Sequence, residues 1–382
     1  MGLFDKLFGS RKEPRYEQGY YKLLNGYVPA FSTWGGDIYE RELVRASIDA
    51  RARHISKMDV KLLGSARPSL QAKLKHAPND WQTWSQFFYR TSTILDVYNT
   101  AWIVPVTDEY GETTGIYSIL PDRVELVEYN KIPFVRFHFS NGNTSVIELE
   151  NVAYMNKYQL RSDIFGESNK ALDSTMALMH IQEQGIEEGV KSSATFRFMA
   201  TASNFTNPND LEKERNRFTR ENLESGGGLL LFPTTYKDIK QIDSKPFVVD
   251  AEQMKVIQTN VYNYFGVNED VLQNKAYGDS WSAFYEGAIE PFAVQFSEVV
   301  TKMLFTLRER SNGAGIMATS DKLQYMSNKD KLEVSAQMAD RGLLTRNEIR
   351  AIWNLPPLPE EIGDQLPVRG EYYNLGERNG ES

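Results

Sequence analysis

The thirty residues WSAFYEGAIEPFAVQFSEVVTKMLFTLRER, Trp281–Arg310, decide how this chain is read. Apolar side chains recur at Phe284, Ala288, Phe292, Phe296, Val299, Met303 and Leu307. Steps of three and four mark one buried face of a helix. At about 1.5 Å per residue such a helix reaches roughly 45 Å, longer than a compact domain usually needs. Pro291 lacks a backbone donor and crowds the carbonyl four residues back, so a bend is expected at Glu290–Pro291. A polar loop, Asn268–Ser280, leads into it. Long bent helices suit the wall of an assembly better than the closed pocket of an enzyme.

Working upstream, Asp250 with Gln253 reads as the cap of a helix over Ala251–Phe265, stopped by Gly266. Gly226–Phe232 and Thr235–Ile242 resemble a two-stranded ribbon around Pro233, and a charged helix spans Leu211–Leu223 after the break at Asn207-Pro208. Leu172, Met176, Met179, Ile186 and Val190 repeat at helical spacing, with Glu183 in the vacant slot. The first half of the chain reads as α+β. Helices are expected over 37–57, with Asp37 and Glu40 as a capping pair, and over Trp84–Tyr98; Asp59–Leu63 reads as a strand followed by a break at Pro68. Ala101–Val106 suits a buried strand, and Ile116–Leu120, Val124–Tyr129, Phe134–Phe139 and Thr144–Glu148 follow as short strands between turn signals. Downstream, Ile316–Ala318 reads as a strand returning to the first domain. Two short helices follow, with capping pairs Ser327/Asp330 and Thr345/Glu348; prolines 356, 357 and 359 end the ordered part.

The chain has 382 residues, 41% hydrophobic, enough for a sizeable core in two or three domains. A net charge of −8 disfavours tight wrapping of nucleic acid, which needs cations to neutralise phosphates. The absence of cysteine excludes disulfides, thiolate zinc sites, iron–sulfur clusters and a cysteine nucleophile. No apolar run approaches the roughly 20 residues of a membrane-spanning helix. Leu3, Phe4, Leu7 and Phe8 share one helical face in Met1–Lys12. That face reads as a membrane-surface or partner-docking helix, or as an arm packed on its own subunit or a neighbour.

Catalytic chemistry finds little support. His54, His76, His138 and His180 stand alone, none at metal-ligand spacing. Gly226-Gly227-Gly228 lacks the Lys-Ser/Thr of a phosphate loop and precedes a strand-like run. No carboxylate pair has an acid–base or two-metal spacing. Lys213, Arg215, Arg217 and Arg220 alternate with Glu212, Glu214 and Glu221, a solvated helix face whose fields largely cancel. No catalytic, cofactor-binding or metal-binding residue is assigned.

Several stretches together resemble the portal protein family of tailed bacteriophages, of the long, non-contractile-tail type. They are the opening Met1-Gly2-Leu3-Phe4-Asp5-Lys6-Leu7-Phe8, Ala77-Pro78-Asn79 with Thr83 ahead of Phe87, and Asn99-Thr100-Ala101-Trp102. Ile116–Leu126, Gly166-Glu167-Ser168 (with Asn169 in place of a usual proline) and Phe265-Gly266-Val267 continue the series. Glu286 through Glu290-Pro291 and Gly342–Arg350 with Pro356 complete it.

The resemblance implies an α+β, portal-type, ring-forming subunit. An α+β wing would cover 1–167 with a return strand at about 311–320, and helices 168–191 and 250–266 would form the stem. Residues 192–249 would be a small α/β clip, 267–280 the tunnel loop, 281–310 the long kinked helix, 321–360 a helical crown and 361–382 a flexible tail. It implies a ring of usually twelve copies at one capsid vertex of the virion, assembled in the host bacterial cytoplasm. The ring would pass double-stranded DNA, nucleate the capsid, and need no cofactor and no membrane. Expected partners are the terminase large subunit, the head–tail connector, and the major capsid or scaffolding protein. Gln273, Asn274, Lys275 and Tyr277 are the candidate channel residues, and Pro291 the candidate kink. Lys275 either touches DNA transiently or pairs with an acid of a neighbouring subunit. Phe196, Phe198, Phe205, Asn207, Pro208, Tyr236 and Lys237 are the candidate clip surface. An unrecognised cytoplasmic enzyme and another virion adaptor ring are the alternatives.

Overall fold

The computed structural model describes residues 22–27, 38–193, 197–202, 213, 236–242, 251–319, 328–353 and 355–367. It divides into two compact units, a larger one of Met1–Leu172 with Thr259–Ser382 and a smaller one of Asp173–Gln258.

The larger unit opens with strand β1 (Lys22–Tyr27), which sequence reading had not identified, and a 3-10 turn over Ile38–Glu40. Helix α1 (Glu42–Ile55) begins later than the expected 37–57, and Arg41 at its N-cap gives no side-chain bond; Asp37 lies outside the described residues. After β2 (Asp59–Leu63), Pro68 opens a helix instead of breaking the chain: α2 (Pro68–Leu74) holds it in the first turn, where its missing N–H has no partner to lose. Helix α3 (Trp84–Tyr98) starts at a capping box in which Thr83 Oγ1 accepts from Gln86 N–H at 3.3 Å and Gln86 Oε1 accepts from Thr83 N–H at 3.0 Å. Asn99, in the left-handed region at φ 55°, ends it.

Six strands follow: β3 (Thr100–Thr107), β4 (Thr113–Ile119), β5 (Arg123–Tyr129), β6 (Ile132–His138), β7 (Thr144–Glu148) and β8 (Ala153–Asn156). They form two antiparallel sheets, ordered β1-β5-β6-β7 and β4-β3-β8. Alternate residues of the sheets enclose one core, in which Trp102, Val104, Val124, Leu126, Val135 and Phe137 are buried together. Trp102 meets Phe137 edge-on at 5.4 Å. Strand β3 is buried at five successive positions, as a strand covered on both sides must be.

Helix α4 (Asp173–Ser193), strands β9 (Arg197–Ala202) and β10 (Tyr236–Ile242), and helix α5 (Ala251–Phe265) come next. Strand β10 pairs antiparallel with β9; the expected ribbon partner Gly226–Phe232 and the charged helix 211–223 fall largely outside the described residues. Gly266, at φ 68°, stops α5.

The region 267–311 departs from the sequence expectation. After α6 (Glu269–Leu272), the expected helix over 281–310 is present as an unbroken run of α7 (Asp279–Phe284), a π turn over Tyr285–Ile289 and α8 (Glu290–Leu304), but it stops at Leu304 and a separate α9 (Leu307–Ser311) follows. Phe305 is extended and buried, and Thr306 with Glu309 forms a capping box that starts α9 afresh. The 15 residues of α8 by themselves reach about 22 Å. Its buried stripe is Phe292, Phe296, Val300 and Leu304, not the expected Val299, Met303 and Leu307; Leu307 is 72% exposed. Phe296 sits 5.0 Å from Phe88 and 6.1 Å from Phe87 of α3.

Strand β11 (Gly315–Thr319) pairs antiparallel with β2 and lies on α8, where Thr301 Oγ1 accepts from Ile316 N–H at 3.0 Å and Ser297 Oγ accepts from Ala318 N–H at 2.9 Å. Helices α10 (Asn328–Asp340), α11 (Arg346–Ile352) and α12 (Glu360–Gly363) complete the described chain. Order runs past the prolines, into the segment expected as a flexible tail. Asn347 accepts from Leu358 N–H at 2.7 Å and donates to Leu358 O at 3.2 Å and to Asp364 at 3.1 Å.

Candidate functional site

The candidate channel residues lie on the segment that joins α5 to α8. Asn268 caps α6 by accepting from Val271 N–H at 2.9 Å, and Val271 is buried where α6 meets α1. The following turn is exposed. Gln273 Nε2 donates to Glu269 at 2.7 Å, and its Oε1 accepts from Lys275 Nζ at 2.7 Å. The Lys275 amide donates to Asp270 O at 2.7 Å. Asn274 takes φ 57°, a conformation asparagine tolerates better than most residues, and Tyr277 stands 71% exposed. The structure thus brings Gln273, Asn274, Lys275 and Tyr277 onto one turn, with Lys275 steered by Gln273. Among the described residues no carboxylate lies within ion-pair distance of Lys275. Residues 267–280 carry Glu269, Asp270 and Asp279 against Lys275, so the segment's formal charge is 1 − 3 = −2.

Past the turn, Trp281 and Phe284 of α7 receive the His54 ring of α1 at centroid distances of 4.7 and 5.5 Å. Burial, helped by Lys57 and Arg53, lowers the His54 pKa to about 4, so the ring is neutral near pH 7. A π turn lies immediately before the expected bend at Glu290–Pro291, with Glu290 N–H donating to Tyr285 O, and Pro291 follows at the start of α8.

A buried ionic group adjoins this joint, and sequence reading missed it. Arg51 Nε and Nη2 donate to Ala288 O at 3.2 and 3.1 Å, while Arg51 Nη1 donates to Asp96 Oδ1. Lys157 Nζ donates to the same carboxylate oxygen at 2.8 Å. Asp96 is fully buried, and two cations with charge-assisted bonds offset its desolvation. Burial lowers the Lys157 pKa, Asp96 opposes that shift and Arg51 adds to it. One signal was present: Asp96 continues the buried stripe Phe88, Ser92 of α3 at a four-residue step, a carboxylate where an apolar residue belongs.

The entry to α4 is similarly tied. Asn169, where the family motif has proline, donates to Val97 O at 2.8 Å and Asp96 O at 3.3 Å, which are carbonyls of the last turn of α3. Its Oδ1 accepts from Asn99 Nδ2 at 2.6 Å and from the Tyr264 hydroxyl at 2.7 Å. Proline could make none of these bonds.

Of the candidate clip residues, Phe196, Phe205, Asn207 and Pro208 lie outside the described residues. Phe198 faces Gln241 across the β9–β10 pair, and Tyr236 and Lys237 face Ala202 and Thr201. Among the described residues no cluster of three or more His, Asp or Glu is placed to hold a metal ion, and no helix is long and apolar enough to cross a membrane. A shallow groove of about 460 Å³ runs between α8 and β11, bordered by Glu290, Val294, Glu298 and Met317.

No curated protein matches the chain. Solved structures share its fold at low identity. A chain from the neck of an empty gene transfer agent particle matches at TM-score 0.56 and 14% identity, over 83% of this chain and 91% of that one. A chain of the virion of a native gene transfer agent particle matches at TM-score 0.56 and 14% identity, over 84% and 92%. An HK97-family phage portal protein from Corynebacterium diphtheriae matches at TM-score 0.51 and 12% identity, over 74% and 93%. The model of the family described as phage portal protein matches residues 42–354, most of the sequence, including strands β2 to β8, the turn at 273–278 and the jointed helix. The chain belongs to the phage portal protein family.

Proposed function

We propose that this chain forms a ring, of twelve copies in the virion, at one capsid vertex, and that double-stranded DNA passes through its axis during packaging and ejection. The observation that carries this reading is the bare flank of α4. Leu178, Ile181 and Ile186 are 53%, 61% and 40% exposed, and Val256 of α5 is 59% exposed. Apolar side chains at helical spacing and open to water are covered when copies associate through unlike surfaces, and a rotation that closes gives a ring. Residues 1–167 with 311–320 serve as wing, 168–191 and 250–266 as stem, 192–249 as clip and 321–360 as crown.

In this reading the turn Gln273–Tyr277 faces the channel. Twelve copies of −8 give −96 formal charges, and the turn segment adds no net cation, so the field repels a duplex carrying one charge per about 1.7 Å. Lys275 is then an isolated cation that meets phosphates briefly. The clip receives the terminase large subunit during packaging and the head–tail connector afterwards, and the ring nucleates assembly with the major capsid or scaffolding protein. ATP hydrolysis belongs to the terminase; no catalytic role is assigned to this chain.

Electron microscopy of the purified protein tests the ring: particles with a central hole wide enough for a duplex are expected. A homogeneous population of single subunits that stays monomeric even when co-expressed with capsid protein would overturn it. For the channel face, Lys275→Glu is expected to lower packaged DNA without reducing ring yield.

A further inference from the structure

Residues 285–289, between α7 and α8, form a π turn closed by Glu290 N–H on Tyr285 O. Such a turn holds one residue more than the α-helix it interrupts. The missing N–H of Pro291 does not select this register. In an α pattern it leaves Gly287 O without a donor, and in a π pattern it leaves Glu286 O without one. One bond is lost either way. In an unbroken α pattern the proline ring would crowd Gly287 O, so Pro291 disfavours a regular helix here, but it does not fix which carbonyl faces α1.

Arg51 does distinguish the two registers. Its Nε and Nη2 both donate to Ala288 O, a carbonyl of the π turn within reach of α1. In an unbroken α-helix the same oxygen would point along the axis to the amide of Phe292. Arg51 is itself fixed by Asp96, which Lys157 shares. One turn along α1, His54 seats Trp281 and Phe284 on the other side of the extra residue. Helix α1 therefore grips the joint on both sides.

We infer that Arg51 is a positioning residue that holds the jointed helix in its π register and so sets how α7 and the turn Gln273–Tyr277 are rotated relative to α8. A slip of one residue turns a helix by about 100° and moves it by ~1.5 Å along its axis. The released state would thus aim Lys275 and Tyr277 in a new direction. That consequence for a channel rests on the proposed function; the register assignment itself is purely geometric.

The chain contains no cysteine, so nitroxide labels can be placed without background. Tyr277→Cys and Tyr110→Cys, both highly exposed and both in the larger unit, give one distance to follow in the full-length protein. In that background Pro291→Ala restores a donor. Arg51→Lys keeps a cation beside Asp96 but cannot reproduce the two-donor grip on Ala288. Pro291→Ala is expected to leave the distance distribution where it was, whereas Arg51→Lys shifts its maximum by several Å or splits it in two. An Arg51 that merely balanced charge would tolerate the lysine. An unchanged distribution in Arg51→Lys, or a shift in Pro291→Ala as large as in Arg51→Lys, overturns the assignment. If Arg51→Lys does not fold, the Arg51→Met, Asp96→Leu, Lys157→Met variant, which removes the whole ionic group, is read by the same criterion. A Lys275→Glu chain that packages DNA normally would remove the channel reading and leave this distance result intact.

Discussion

Helices α3 and α4 are both amphipathic and of similar length class, yet the chain treats them differently. In α3, Phe87, Phe88, Thr91, Ser92, Ile94, Leu95, Asp96 and Val97 are all buried by the larger unit's own strands and helices. In α4, Met176 in the first turn is buried, but Leu178, Ile181 and Ile186 remain open to water. A helix of the first kind reports how the subunit is stabilised. One of the second kind reports what the subunit lacks when alone. Substitutions in the two should therefore separate folding from association.

The largest effect is expected at Phe296, which rests on α3. Phe296→Ala should cost roughly 3–5 kcal/mol of unfolding free energy, the usual range for emptying an aromatic core site, read from the denaturant midpoint. Asp96→Asn removes the charge that two buried cations share and should cost about 3 kcal/mol, the low end for a broken buried pair because Lys157 retains some solvent access. Recovery of wild-type stability in Asp96→Asn would show that the group does not hold α3 to the kink.

His54 supplies a smaller, pH-dependent test. Its folded pKa of about 4 lies below the ordinary 6.5, so the unfolded chain binds the proton more readily. The stability tied to the neutral ring is complete above pH 6.5 and is lost as pH falls towards 4. Between pH 7 and pH 4.5 the loss should exceed that of His54→Leu by on the order of 1 kcal/mol. Equal pH slopes for the two proteins would remove His54 from the account.

The smallest effect on folding is expected on α4, where it sharpens the contrast most. Ile181→Ser should change unfolding free energy by no more than ~0.5 kcal/mol, as exposed sites usually do, while ring yield in size-exclusion chromatography falls steeply. A large loss of stability with intact rings would reverse the roles assigned to the two helices.

Much of the fold was legible in the sequence. Strand β3 announced itself as an apolar run and β4 to β7 through short strand-like runs between punctuating turns, and α3 was read to its last residue. The four residues of β8 are too few to show a period, and β1 is interrupted by Asn25-Gly26. The long helix was over-read because its apolar steps run on through Phe305, while Thr306 and Glu309 already signalled a restart. The ionic group was illegible because Arg51, Asp96 and Lys157 come from three distant segments, each unremarkable alone. One residue that carried the resemblance and one that departs from it now have physical reasons. Asn79 donates to Ile116 O at 2.8 Å, completing the edge of β4, and Asn169 closes the end of α3. The candidate turn was legible as a polar interruption; the Gln273 bond that orients Lys275 was not.

Gly166 has a consequence for how freely this sequence can drift. A Cβ placed there would stand 2.1 Å from Asn99 O and 2.4 Å from Lys157 O, both main-chain atoms that cannot swing aside. At Gly142 a Cβ would meet nothing within 4 Å, leaving only its positive φ to resist replacement. Saturation mutagenesis should thus record position 166 as intolerant of every other amino acid, even alanine, while the hairpin tip at 142 accepts asparagine readily. Such a map would mark the crossing of three strands of polypeptide as the spot where this lineage has least room to vary.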